Sequence, residues 1–152
     1  MEIALYEKLG SLPHFNPDLD RDGSTPPEPV RELRALIAEA AGVVISSPEY
    51  AHGVPGSMKN ALDWLVSGPE PISKPVVLLN AAPNGGEWAQ ASLMETLQVM
   101  GFRLLLDASR VAPFLRQKLD GDGLLTDSES EATIRQSLDA LAAAIGGVSL
   151  GP

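Results

Sequence analysis

The chain lacks cysteine, has few basic residues and contains no long apolar run, and each lack narrows what it can do. Without cysteine there is no disulfide, no thiolate nucleophile and no cysteine-ligated metal. Eleven Lys and Arg stand, scattered, against twenty Asp and Glu, for a formal net charge of −9. An acidic surface of that kind repels nucleic acid and anionic membrane, so neither is expected as a partner. The apolar runs are far too short to span a bilayer. The opening Met-Glu-Ile-Ala shows neither a basic n-region nor an apolar h-region, so the cytoplasm is the expected compartment.

The 152 residues are 44% hydrophobic, enough for one domain with a real core. Thirteen prolines and fourteen glycines punctuate them. Ile3 to Tyr6 reads as a short strand, followed by a polar, proline-rich connection. Thr25 opens a helix, with capping-box spacing to Glu28 and with Pro26 and Pro27 in the tolerant first turn. Val30, Leu33, Leu36, Ile37 and Ala40 form its apolar face, and Gly42 stops it. Val43-Val44-Ile45 reads as a buried strand. A helix follows from about Gly56 to Val66, with Met58, Ala61, Leu62 and Leu65 at helical spacing. Pro75 to Leu79 is a second buried strand, then a helix runs from about Trp88 to Met100, closed by Gly101. Arg103 to Leu106 is a further strand. The last helix starts near Thr126, paired with Glu129 as a capping box, and buries Ile134, Leu138, Leu141 and Ile145. Strand and helix alternate without internal repeat or linker, which argues for one domain, 1–152, with parallel strands and helices on both faces.

In an open parallel sheet, ligands bind beyond the carboxyl ends of the strands. Two loops occupy that position: Ser47-Pro48-Glu49-Tyr50-Ala51-His52-Gly53-Val54-Pro55-Gly56, and Ala81-Ala82-Pro83-Asn84-Gly85-Gly86. Glycine and proline in both allow the backbone to come close to a flat ligand.

The first loop and its helix read Ser-Pro-Glu-Tyr, then Val-Pro-Gly-Ser-Met-Lys-Asn-Ala-Leu-Asp-Trp. This block resembles the signature of the NADPH-dependent FMN reductases, a family that includes chromate, quinone and azo-dye reductases. Ser-Leu-Pro-His-Phe-Asn-Pro-Asp, at Ser11 to Asp18, resembles the family's segment after its second strand. The resemblance implies a flavodoxin-like doubly wound parallel sheet, FMN as cofactor and NADPH or NADH as co-substrate. It also implies a small-molecule electron acceptor such as free flavin, a quinone, an azo dye or a metal oxyanion, and a homodimer or homotetramer. FMN would be held by Ser47, Pro48, Glu49, Tyr50, Ala51 and His52 from one loop and by Ala82, Pro83, Asn84, Gly85 and Gly86 from the other. The family often has Asn after the Tyr, where Ala51 stands here. Flavin supplies the reactivity, so no catalytic residue is named, and no metal ligand. A flavodoxin-like binding or assembly domain without flavin is the alternative.

Other readings stand beside these. Tyr50 could be a surface aromatic, His52 a solvated loop histidine, and Trp88 a core or oligomer residue. Lys59, Asn60 and Asp63 read as structural, with a Lys59–Asp63 salt bridge, and Trp64 as core or interface; with Val66 it would extend the apolar stripe of its helix sideways. Asp18, Asp20, Asp22 and Gly23 match the start of a calcium loop, but the twelfth position is Pro29 where glutamate is required, so a solvated acidic turn is the better account. The family's first strand ends in a Gly-Ser-rich phosphate loop leading into the first helix, and Ile3 to Tyr6 corresponds to its second strand. The expectation is therefore an N-terminally incomplete domain lacking first strand, phosphate loop and first helix, with weak or absent FMN binding by the chain as given and with Ile3–Tyr6 and Val43–Ser46 about 9–10 Å apart, two inter-strand spacings.

Overall fold

The computed structural model describes residues 2–82, 85–111 and 118–146. The strand β2 (Pro75–Asn80) organises them. Its run of Val and Leu has no polar alternation, as a strand covered on both faces requires, and Pro75 to Leu78 are all buried. β2 pairs in parallel with β1 (Val43–Ser46), with Val43 opposite Val76 and Ser46 opposite Leu79. On its other side it pairs in parallel with β3 (Arg103–Leu104) and then with β4 (Arg110–Val111). Between those two strands the edge leaves the ladder in a 3-10 turn, Leu106–Ala108. There the Leu78 N–H donates to Ser109 Oγ instead, at 3.0 Å, so the central strand keeps its bond where its neighbour turns away.

The helices are α1 (Glu28–Glu39), α2 (Gly56–Asp63), α3 (Glu87–Val99) and α4 (Ser128–Gly146). Val76 and Leu78 pack with Leu62 of α2, Leu93 and Leu97 of α3, Ile45 and Phe102. Val77 points the other way, to Ala108 and Leu141 of α4. Helices thus cover both faces of the sheet. Each fully buried aliphatic side chain contributes roughly 1.5–3 kcal/mol of transfer free energy. A second cluster joins α1 to α2 through Val30, Leu33, Ala61, Trp64, Leu65 and Leu12.

Trp64 belongs wholly to this core: it is fully buried. Its indole Nε1 donates to the Pro13 carbonyl at 2.8 Å, and Asn60 Nδ2 donates to the same oxygen at 3.0 Å. The Phe15 N–H donates to Asn60 Oδ1, and the Phe15 ring meets Trp64 edge-on, with centroids 5.0 Å apart. The two segments on which the resemblance rests are therefore packed against each other. Lys59 and Asp63 form the expected salt bridge on the outer face of α2. Lys74 Nζ donates to the carbonyls of Ile37, Ala38 and Ala40, which the end of α1 leaves without helical partners. Burial lowers the pKa of this lysine below the usual value.

The structure corrects several expectations. Ile3 to Tyr6 form no strand; Ile3 and Leu5 are exposed, and no neighbouring strand offers a ladder among the described residues. The expected spacing to Val43–Ser46 therefore has no second strand to be measured from. β1 is half-exposed rather than buried, with Val44 open to solvent, because among the described residues it pairs only with β2. Thr25 does not cap α1. That helix starts at Glu28: Pro27 stands at the cap in an extended conformation (ψ 149°), and Pro29 falls in the first turn, where a missing N–H costs no helical bond. β4 was not foreseen. At α4 the cap comes from Asp127 rather than Thr126: Ser130 N donates to Asp127 Oδ2 at 2.9 Å, while Thr126 Oγ1 donates to Lys118 O. The Ser130 hydroxyl and Lys118 hold the Asp127 carboxyl down at about 2, from an ordinary 3.8.

The acidic turn is also resolved. Asp20 is not solvated; its carboxylate meets Arg34 Nη2 at 2.7 Å and the Ser67 hydroxyl at 2.6 Å, with its side chain 5% exposed. Arg34 also donates to the Trp64 carbonyl. Among the described residues no acidic cluster is arranged to hold a metal. Removing one partner of a buried ion pair leaves the other charge uncompensated. Asp20→Asn is therefore expected to destabilise the fold by on the order of 3 kcal/mol, measured by urea unfolding.

Candidate functional site

The carboxyl ends of β1 and β2 lie side by side because the strands are parallel and in register. Their following loops enclose a cavity of about 250 Å³ lined by Ser46, Ser47, Pro48, Glu49, Tyr50, Ala81 and Ala82. Of the expected site residues, Ser47, Pro48, Glu49, Tyr50 and Ala82 meet there. Ala51, His52, Gly85 and Gly86 do not line it. Pro83 and Asn84 lie outside the described residues. A larger cavity of about 490 Å³ sits between β3, β4 and α4, lined mainly by Leu104, Leu105, Leu106, Ala140 and Ala144. It flanks the sheet rather than topping the strand ends, where an open parallel sheet presents its loops to ligands.

The first loop is shaped by a tight turn. Tyr50 and Gly53 exchange two backbone hydrogen bonds, at 3.1 and 2.9 Å. The two residues between them, Ala51 and His52, both have positive φ, 49° and 57°, as in the primed turns that glycine and asparagine favour. This gives a physical meaning to Ala51 where the family often has Asn: the position asks for a residue that tolerates the left-handed region. Tyr50 is 67% exposed at the cavity rim, while Ser47 is buried with its Oγ donating to the Pro48 carbonyl at 3.3 Å.

Asn80, which sequence reasoning passed over, shapes the second loop. It is 2% exposed. Its Nδ2 donates to the Gly85 carbonyl at 2.7 Å, and its Oδ1 accepts from the Ala82 N–H at 2.8 Å. An asparagine at a strand end, followed by a proline- and glycine-containing stretch, is a signal of such a side-chain-closed turn. Gly86 has φ 59°, and a Cβ there would come within 2.4 Å of Asn80 Nδ2. A Cβ at Gly85 would meet no atom of the described residues within 4 Å beyond its chain neighbours, although φ +80° would strain it. Trp88 is neither core nor buried: it is 62% exposed and stacks on His52, with centroids 5.4 Å apart and 24° between planes.

The arrangement suits the ring of a flavin. Pro48, Ala81 and Ala82 provide apolar walls. Among the described residues the N–H of Glu49, which lines the cavity, has no acceptor, which leaves a backbone donor beside the slot. A flat ligand needs this combination of apolar slot and few directed donors.

A doubly wound α/β sheet with its loops gathered over the strand ends defines a flavodoxin-like protein. A flavodoxin of Bacillus cereus superposes with a TM-score of 0.50 at 15% identity, over 76% of this chain and 71% of its own. The flavoenzyme NAD(P)H:(acceptor) oxidoreductase FerB of Paracoccus denitrificans superposes more closely, with a TM-score of 0.74 at 29% identity, over 91% of this chain and 77% of its own. An NAD(P)H:quinone oxidoreductase of Solanum tuberosum is 34% identical over 148 residues, covering 94% of this chain and 75% of that protein. An NAD(P)H-dependent FMN reductase of Pseudomonas aeruginosa is 31% identical over 145 residues, 93% of this chain and 77% of its own. The sequence profile of the NADPH-dependent FMN reductases matches residues 1–114. The chain belongs to that family, whose cofactor is FMN and whose reductant is NAD(P)H.

The strained turn yields a test. A non-glycine residue in the left-handed region costs roughly 1 kcal/mol or more. Ala51→Gly is expected to raise stability by about 0.5–1 kcal/mol, the relief being partly offset by glycine's greater freedom in the unfolded chain. Urea unfolding of the two proteins measures the difference.

Proposed function

We propose that the cavity between Ser47–Tyr50 and Ala81–Ala82 receives the isoalloxazine ring of FMN, and that the chain is an NAD(P)H-dependent reductase of small acceptors. The convergence of two strand-end loops on one slot carries the reading. When bound, FMN supplies the redox chemistry, taking hydride from NAD(P)H and passing electrons to the acceptor. The chain's residues position. Pro48, Ala81 and Ala82 form the walls, the backbone N–H of Glu49 is the donor for the polar rim, and exposed Tyr50 edges the opening. No side chain is required as acid or base for the hydride step. A quinone is the acceptor class favoured by the names of the relatives, which include the Solanum enzyme and a quinone reductase of Escherichia coli, 30% identical over 124 residues, 79% of this chain and 65% of its own. NAD(P)H is an intracellular metabolite, which supports the cytoplasm as the compartment. Among the described residues, no helix is long and apolar enough to cross a membrane.

Self-association belongs to the same reading. Trp64 is buried in the core, but Val66 beside it is 64% exposed and free to meet a second copy, and self-association is the family's expectation. Light scattering at micromolar concentration is expected to give a dimer or tetramer; a strict monomer would refute this part.

The flavin reading is tested by absorbance. FMN titrated into the purified chain is expected to show the shifted bands of bound oxidised flavin, bleached by NADPH and restored by a quinone. Bands that do not shift would instead support a binding or assembly domain without flavin.

A further inference from the structure

Two contacts cross from the first loop to the start of α3. Glu49 Oε2 accepts from the Ala89 N–H at 2.9 Å, between residues forty positions apart. His52 stacks on Trp88. The first-turn N–H groups of a helix have no acceptor within it, and a local side chain at the cap usually supplies one. Here the cap is Gly86, which has no side chain to do so. The acceptor comes from the opposite wall of the cavity.

The geometry points to Glu49 as a positioning residue for the flavin ring. Its carboxylate ties the Ser47–Tyr50 wall to α3, while Asn80 ties the loop that leads into α3 back to the end of β2. The two walls are thereby held at one separation, and the His52–Trp88 stack is a second strut across the same gap. Glu49 lines the cavity but acts through the backbone of Ala89. An isolated cap would stabilise α3 and nothing more; a cap that spans the two walls also sets slot width, and so bears on any ring that enters. This inference rests on the reading of the slot as a flavin site.

The test measures binding of FMN and of riboflavin, which shares the ring but has no phosphate, to the full chain and to Glu49→Ala, Glu49→Asp and Glu49→Gln by fluorescence titration. Thermal unfolding and the Ala89 amide NMR shift are followed in parallel. Glu49→Ala is expected to weaken both flavins by about tenfold, the scale of a lost hydrogen bond to a carboxylate. Glu49→Asp keeps the charge but is one methylene short of Ala89, so it is expected to lose affinity likewise, and it decides the matter if the Ala variant does not fold. Glu49→Gln keeps an oxygen at the same reach and is expected to restore both flavin affinity and the Ala89 shift. Unchanged flavin affinity in folded Glu49→Ala or Glu49→Asp, with or without a lower melting temperature, would overturn the inference alone. So would a loss confined to FMN, which would place the effect at the phosphate. A wild-type chain that binds neither flavin would overturn the reading of the slot and this inference with it.

Discussion

The backbone ladder of β2 is the constraint on which the rest depends. A strand buried on both faces and paired on both edges has no water to satisfy its polar groups, so every N–H and C=O needs a protein partner. β1 meets that need on one side. On the other, β3 and β4 meet it at the two ends, and the Ser109 hydroxyl fills the gap at Leu78. With the strand so held, Val76 and Leu78 face α2 and α3 while Val77 faces α4. The same ladder delivers the ends of β1 and β2 to one place and so creates the cavity.

The cavity is built less by the side chains that face it than by those that hold its walls. Asn80 closes one loop from below, Glu49 bridges to α3, and Ala51 and His52 sit in the left-handed region to turn the other loop back. Strain of this kind persists only where surrounding structure enforces it, and here the paired hydrogen bonds of Tyr50 and Gly53 do so. The segment from Leu12 to Asp20 plays the matching part beneath α2: Asn60 and Trp64 hold Pro13, and Arg34 holds Asp20. The helix that follows the first loop is thereby anchored from behind, which steadies the loop in front.

Much of this was legible in the order of residues. The apolar run at Pro75 to Leu79, the glycine stops at Gly42 and Gly101, and the helical spacing of Met58, Ala61 and Leu62 are local patterns, and local sterics and periodicity are enough to read them. The block from Ser47 to Trp64 carried the family resemblance, and the position of its loop after a buried strand carried the site. Five of the expected site residues line one cavity for that reason. What the pattern of residues could not decide were matters of partnership between distant positions. Ile3 to Tyr6 has the composition of a strand, but a strand exists only where another offers its ladder. Asp20 looks like a solvated turn until Arg34, fourteen residues on, is folded against it. Trp64 reads equally as core or interface until Pro13 and Phe15 cover it. The start of α3 has no visible cap until Glu49 arrives from forty residues away. The sequence by itself determined the alternation of elements, the parallel sheet and the two loops, because these follow from side-chain period and turn chemistry within a few residues. Only the tertiary structure decided which polar groups hold the walls and how wide the slot stands, because those depend on hydrogen bonds between elements whose separation along the chain conceals their contact.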